Sequence, residues 1–148
     1  MPKYQTTVRS SWTAERAFEY LLDLEHFTDW DPGVKRSARV AGSEPGLGAA
    51  FDVTVSAPGK DLTLRYETVA VNPPRRFEVR AETSMLRSVD VISIEPDTRG
   101  AGCLVSYVAD LALKGPLRIG DPLLTLAFRR IGDRAATGLR AVLDGDAA

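Results

Sequence analysis

One long amphipathic segment closes a chain that is otherwise almost entirely short strands, and that combination leaves few ways to build a core. Residues 120–145, GDPLLTLAFRRIGDRAATGLRAVLDG, place Leu124, Ala127, Phe128, Ile131, Ala135, Gly138 and Val142 on one side. Arg129, Arg130, Asp133, Arg134 and Arg140 fall mostly on the other. The spacing predicts a helix, with Asp121 as its cap and Pro122 at the first helical position. Such a helix has to cover an apolar surface, and the rest of the sequence offers only a sheet.

The strands declare themselves by a period of two. KYQTTVRS (3–10) sets Tyr4, Thr6 and Val8 against Lys3, Gln5, Thr7 and Arg9. SWTAERAFEYLLD (11–23) changes period: Ala14, Ala17, Phe18, Leu21 and Leu22 form a helical stripe, capped by Thr13 with Glu15 in the first turn. Leu24, Phe27 and Trp30 continue at steps of three as a second short helix. Asp31-Pro32-Gly33 ends it. Pro32 presets φ, Gly33 is expected to supply a positive φ, and the Asp31 carboxylate bonds the turn's own N–H groups. Strands then follow at roughly ten-residue intervals: VKRSARV, GLGAAFDVTVS, DLTLRYETVAV, FEVRAET, SVDVISIE and CLVSYVADLAL, separated by APGK, NPPRR and PDTRGAG. This is an antiparallel meander.

The expected class is therefore α+β: a curved antiparallel sheet of about seven strands wrapped around one long C-terminal helix, with two short helices after the first strand. A helix is only about 10 Å across, so it leaves the concavity partly unfilled. A cavity between helix and sheet follows, lined by strand residues of one parity. From the strands these are Phe51, Leu64, Tyr66, Phe77, Val79, Asp90, Ile92, Val105 and Tyr107; from the helix, Ala127, Phe128 and Ile131. Simple alternation puts Arg65 and Arg80 outside, and a bulge would reverse them.

Composition removes several functions. The 148 residues fit one domain, 1–148. Nineteen Lys and Arg against twenty Asp and Glu give a net charge of −1, so no field favours nucleic acid. There is no signal-like start and no run of 18 apolar residues, so no membrane insertion is expected. A single cysteine, Cys103, forms no internal disulfide and fits the cytoplasm. His26 and Cys103 lie 77 positions apart, so neither a metal site nor a cofactor is expected. No Gly-x-Ser-x-Gly elbow is present, and Gly46-Leu47-Gly48 is followed by a strand where a phosphate loop needs a helix. An exposed edge strand leaves pairing with a second copy open.

The chain resembles the START-like (SRPBCC) superfamily of helix-grip proteins, and within it the polyketide cyclase/dehydrase and lipid-transport group. The resemblance is carried by SWTAERAFEYLLDLEHFTDWDPGV, PGLGAAFDV, YETVAVNPPRRFEVR and GAGCLVSYVADLALKG, in that order and over nearly the whole chain. The family's Gly-Gly-Thr before its last strand reads Gly100-Ala101-Gly102-Cys103 here, with Cys103 in the threonine place. The resemblance implies that the short helices support one side of a cavity mouth, with Trp30 packed under the sheet or at the cavity edge, and that Asp29 and Asp31 are structural.

Three readings of function follow, in this order. The first is a binding protein for a lipid, isoprenoid or aromatic polyketide-like molecule. The second is a polyketide aromatase/cyclase or dehydratase using Tyr66, Asp90 or Tyr107 as acid or base. The third is a protein-interaction module with a filled cavity. The tyrosines read equally well as core aromatics with satisfied hydroxyls, so no catalytic residue is assigned.

Overall fold

The computed structural model describes residues 3–56, 61–98, 100, 102–114 and 121–145, the side chains of 121–128, 144 and 145 excepted. The APGK turn, the Asp121 cap and the side chains of Ala127 and Phe128 lie outside the described residues.

Strand β1 (Lys3–Ser10) leads into α1 (Ala14–Leu22), a short 3-10 turn (Leu24–His26) and α2 (Phe27–Trp30). Six strands follow: β2 (Val34–Ala41), β3 (Ala50–Val55), β4 (Leu62–Asn72), β5 (Arg76–Glu82), β6 (Leu86–Pro96) and β7 (Cys103–Leu113). The last element is α3 (Asp121–Gly145). The strands make one antiparallel sheet in the order β1-β7-β6-β5-β4-β3-β2. This is the helix-grip arrangement.

Local chemistry sets the boundaries. Thr13 caps α1 by accepting from the Arg16 N–H (3.1 Å), and Asp23 ends it while accepting from the Glu25 N–H (3.1 Å). The second short helix resolves into the 3-10 turn and a single turn of α-helix. At the following corner, Val34 N–H donates to the Asp31 carbonyl (3.0 Å) and Gly33 N–H to Asp31 Oδ1 (2.9 Å). Gly33 does not adopt the positive φ expected of it; only Gly42, Gly46 and Gly48 do among the described residues. The side-chain bond from Asp31 holds the turn without a left-handed residue. NPPRR turns on a cis Pro73–Pro74 bond, with Arg75 N–H donating to the Asn72 carbonyl (2.8 Å).

The inner face of the sheet divides into two halves. One half is solid core: Val8, Phe51, Phe77, Ile94, Cys103 and Val105 are all fully buried. Phe18 of α1 meets Phe77 edge-on with ring centroids 5.6 Å apart. Ser10 Oγ donates to the Leu143 carbonyl (3.1 Å), which pins the end of α3 to β1.

Helix α3 buries Gly132, Ala135, Ala136, Leu139 and Leu143, a face rotated from the one its apolar residues predict. Two glycines explain the rotation. A Cβ at Gly132 would strike the Tyr4 ring, and one at Gly138 would strike the Trp30 carbonyl. The helix approaches β1 and α2 through residues that carry no hydrophobic signal. Ile131, expected on the covered face, is therefore 49% exposed.

Candidate functional site

The other half of the sheet is not filled. Between it and α3 lies a cavity of about 440 Å³. Its apolar wall comes from β3 (Val53, Val55), β4 (Leu62, Leu64), β6 (Leu86) and β7 (Ala109, Leu111). The Asp31-Pro32-Gly33 corner and Ile131 and Arg134 of α3 complete it. Pro32 and Arg134 also line an open groove between α2 and α3. They stand where the cavity meets that groove, which makes this corner the cavity mouth.

Part of the lining is polar and buried. Tyr66, Ser88, Asp90 and Tyr107 all line the cavity, and each is at most 7% exposed. Tyr107 donates its hydroxyl to Asp90 Oδ2 (2.7 Å) and Ser88 donates to Asp90 Oδ1 (3.3 Å). Tyr66 in turn donates to Ser88 Oγ (2.8 Å). The register builds this chain. Tyr66 on β4 pairs with Ala81 on β5, which pairs with Ser88 on β6. Ala81 is small enough for the Tyr66 ring to reach across it. Tyr107 sits opposite Ile92, diagonal to Asp90. Behind Asp90, Tyr107 and Phe27 remains only a void of about 10 Å³, at the lower limit of what holds one water.

Burial decides the electrostatics. It pushes the Asp90 carboxyl up to about 6, against the bonds from Tyr107 and Ser88, with the nearby Asp31 charge adding to the rise. Burial, and then the Asp90 charge, push both the Tyr66 and Tyr107 phenols upward, so they stay protonated donors. Burial also raises Asp31, opposed by the Gly33 N–H. The outer-face arginines take no part: Arg65 pairs with Asp52 (2.9 Å) and Arg80 with Glu78 (3.0 Å), both in solvent. The bulge in β4 falls between Thr68 and Ala70, beyond Arg65, so the alternation is not reversed there.

A pH dependence follows. The folded-state value of Asp90 lies above its ordinary 3.8, so the folded chain holds this proton more tightly than the unfolded one. The stabilisation is complete below about pH 4 and is lost as pH rises through about 6. Asp90→Asn removes it. Between about pH 4 and 7, the stability of Asp90→Asn relative to wild type should rise by about 2 kcal/mol. Urea unfolding of both proteins at the two pH values measures this, and a constant difference contradicts it.

The sequence-predicted lining residues scatter. Leu64, Tyr66, Asp90, Tyr107 and Ile131 line the cavity. Phe51 and Val105 do not: both are fully buried in the solid half of the sheet's inner face. Phe77, Val79 and Ile92 reach only the small void. Trp30 stands behind Tyr107, edge-on at 5.6 Å, and lines the outer groove rather than the cavity. Ala127 and Phe128 lie outside the described side chains. Ser88 was missed, although it shares the parity of Asp90 two residues away. Asp31, read as a turn residue, is that and a wall residue too. Asp29 accepts from the Tyr20 hydroxyl (2.8 Å), and Tyr20 stacks on His26 at 4.2 Å, which makes that trio a brace for the short helices. Among the described residues no helix is long and apolar enough to cross a membrane, and no three acidic, His or Cys side chains form a metal-binding group.

The family model described as polyketide cyclase / dehydrase and lipid transport matches residues 1–144. No curated protein matches the chain in sequence. A START superfamily protein from Mycobacterium smegmatis is 16% identical, with a TM-score of 0.75 over 95% of this chain and 96% of that one. The di-domain ARO/CYC StfQ of the steffimycin biosynthetic pathway is 15% identical, with a TM-score of 0.73 over 98% of this chain and 50% of its own. Major latex-like protein 151 from Panax ginseng is 16% identical, with a TM-score of 0.62 over 95% and 96%. At such identities the likeness is one of fold.

Proposed function

The chain belongs to the polyketide cyclase/dehydrase and lipid-transport family, and on that premise we propose that it holds a small apolar molecule in the cavity between sheet and C-terminal helix. The observation that carries this reading is the division of the sheet's inner face. One half is packed solid, and the other encloses about 440 Å³ behind a mostly apolar wall with one polar pole. The ligand class is a lipid, isoprenoid or aromatic polyketide-like molecule. We place it in the cytoplasm, where the single buried Cys103 stays reduced.

Native mass spectrometry of the freshly purified protein, with identification of any compound released on denaturation, tests this. A released apolar compound supports the reading. A clean apo mass, together with no thermal shift across fatty acids, isoprenoids and aromatic polyketides, turns the assignment toward a protein-interaction module.

One observation favours a second reading. Asp90 combines a raised carboxyl with a phenol donor at 2.7 Å, which suits proton abstraction beside a ketone and its return. As a polyketide cyclase or dehydratase, the protein would use Asp90 as base; once Asp90 takes the substrate proton it no longer needs the Tyr107 O–H, which would turn to hold the developing oxyanion. Asp90→Asn would then cost turnover by about 10² or more, while an apolar carrier keeps most of its affinity.

A further inference from the structure

The polar pole has a direction. Each hydroxyl carries one proton, and all three are spent within the pole: Tyr66 gives to Ser88, while Ser88 and Tyr107 both give to Asp90. Neither Asp90 oxygen is left to donate. What the pole turns toward the cavity is lone pairs, on two phenol oxygens and a carboxylate. Asp31 adds a second buried carboxylate to the same wall. The one cation on that wall among the described residues, Arg134, is exposed and stands at the mouth.

We infer that the cavity selects an apolar ligand whose inner end carries a hydrogen-bond donor (a hydroxyl, phenol or amine) and turns away free carboxylates. This rests on the container reading and names the chemistry it accepts. Among the described residues, a ligand carboxylate at the pole would meet only acceptors and the charge of Asp90, with no side-chain donor to replace its lost water. A ligand hydroxyl completes the chain as its final donor. Free fatty acids are thereby poor ligands, and alcohols, phenols and lipophilic amines are good ones.

Three probes of one shape test it: 2-naphthol, 2-methoxynaphthalene and 2-naphthoate. Calorimetry is run at about pH 7.5, where a carboxyl is ionised and a phenol is not. Wild type and Arg134→Gln are both titrated, so that a carboxylate held at the mouth is not mistaken for one at the pole. Naphthol should bind about 10-fold or more tighter than its methyl ether, and naphthoate should be the weakest in both proteins. In Asp90→Asn the gap between naphthol and naphthoate should narrow, because the amide N–H₂ supplies a donor and frees a hydroxyl proton.

If the ether binds as tightly as naphthol, or naphthoate as tightly in Arg134→Gln, the donor rule falls while the container reading stands. A gap unchanged by Asp90→Asn removes the rule from this pole. If none of the three binds to protein with a native circular dichroism spectrum, the container reading falls, and the rule with it.

Discussion

Ala109→Trp should abolish ligand binding and leave the fold intact. Ala109 sits on β7 directly opposite Asp90 on β6, is 7% exposed, and lines the cavity at its polar end. An indole built there enters open volume instead of displacing packed neighbours, and it occupies the position the ligand's inner end requires. Affinity for a co-purified compound, or for 2-naphthol, should fall by about 100-fold or more, equivalent to about 2.7 kcal/mol. The melting temperature should hold or rise, since filling a cavity adds contacts without forcing strain. Titration calorimetry and a thermal melt on one preparation read both quantities. Unchanged affinity in a folded variant places the ligand elsewhere. Loss of affinity together with loss of the melt would reduce the substitution to an unfolding mutation, and Leu64→Phe on the same wall then repeats the test with a smaller change.

Gly138→Val should be the most damaging single substitution on the described surface of α3. The sequence pattern sets Gly138 on the apolar side of α3, and the structure presses that position against the Trp30 backbone carbonyl, so any side chain there collides with main chain. The carbonyl ends α2, whose Phe27 and Trp30 rings stack at 4.6 Å and back the Asp90–Tyr107 pair. A backbone atom cannot rotate away as a side chain can, so the helix has to lift or the corner has to move. The cost should be about 3 kcal/mol or more, at the upper end of overpacking. In a chain of this size that lowers the melting temperature by about 6–12 °C. Thr137→Val, one position along and exposed, should change it little. Differential scanning calorimetry of the pair checks the contrast, and equal melts would show that α3 and α2 are free to part.

The same two sites show what a linear reading reaches. Parity on β4, β6 and β7 is local information, so the inward orientation of Tyr66, Asp90 and Tyr107 is legible in the order of residues alone. Their hydrogen bonding is not. It depends on β5 presenting the small Ala81 between Tyr66 and Ser88, and on a register that sets Tyr107 diagonal to Asp90. Residues 22 and 17 apart come together only through strand pairing.

Sequence by itself determined the order of elements, the antiparallel meander, the Thr13 cap, the Asp31 turn and the need for one helix to cover one sheet. These follow from side-chain period and from turn chemistry within a few residues. Only the tertiary structure decided which inward residues are core and which are wall. Phe51 and Leu64 have the same parity and the same apolar character, yet one is sealed in the core and the other lines the cavity. The difference is what packs above each position, which the strand's own sequence does not carry. The seat of α3 is fixed by close contacts, at Gly132 on the Tyr4 ring and at Gly138 on the Trp30 carbonyl. A glycine contact depends on the absence of a side chain, and hydrophobic periodicity cannot register an absence.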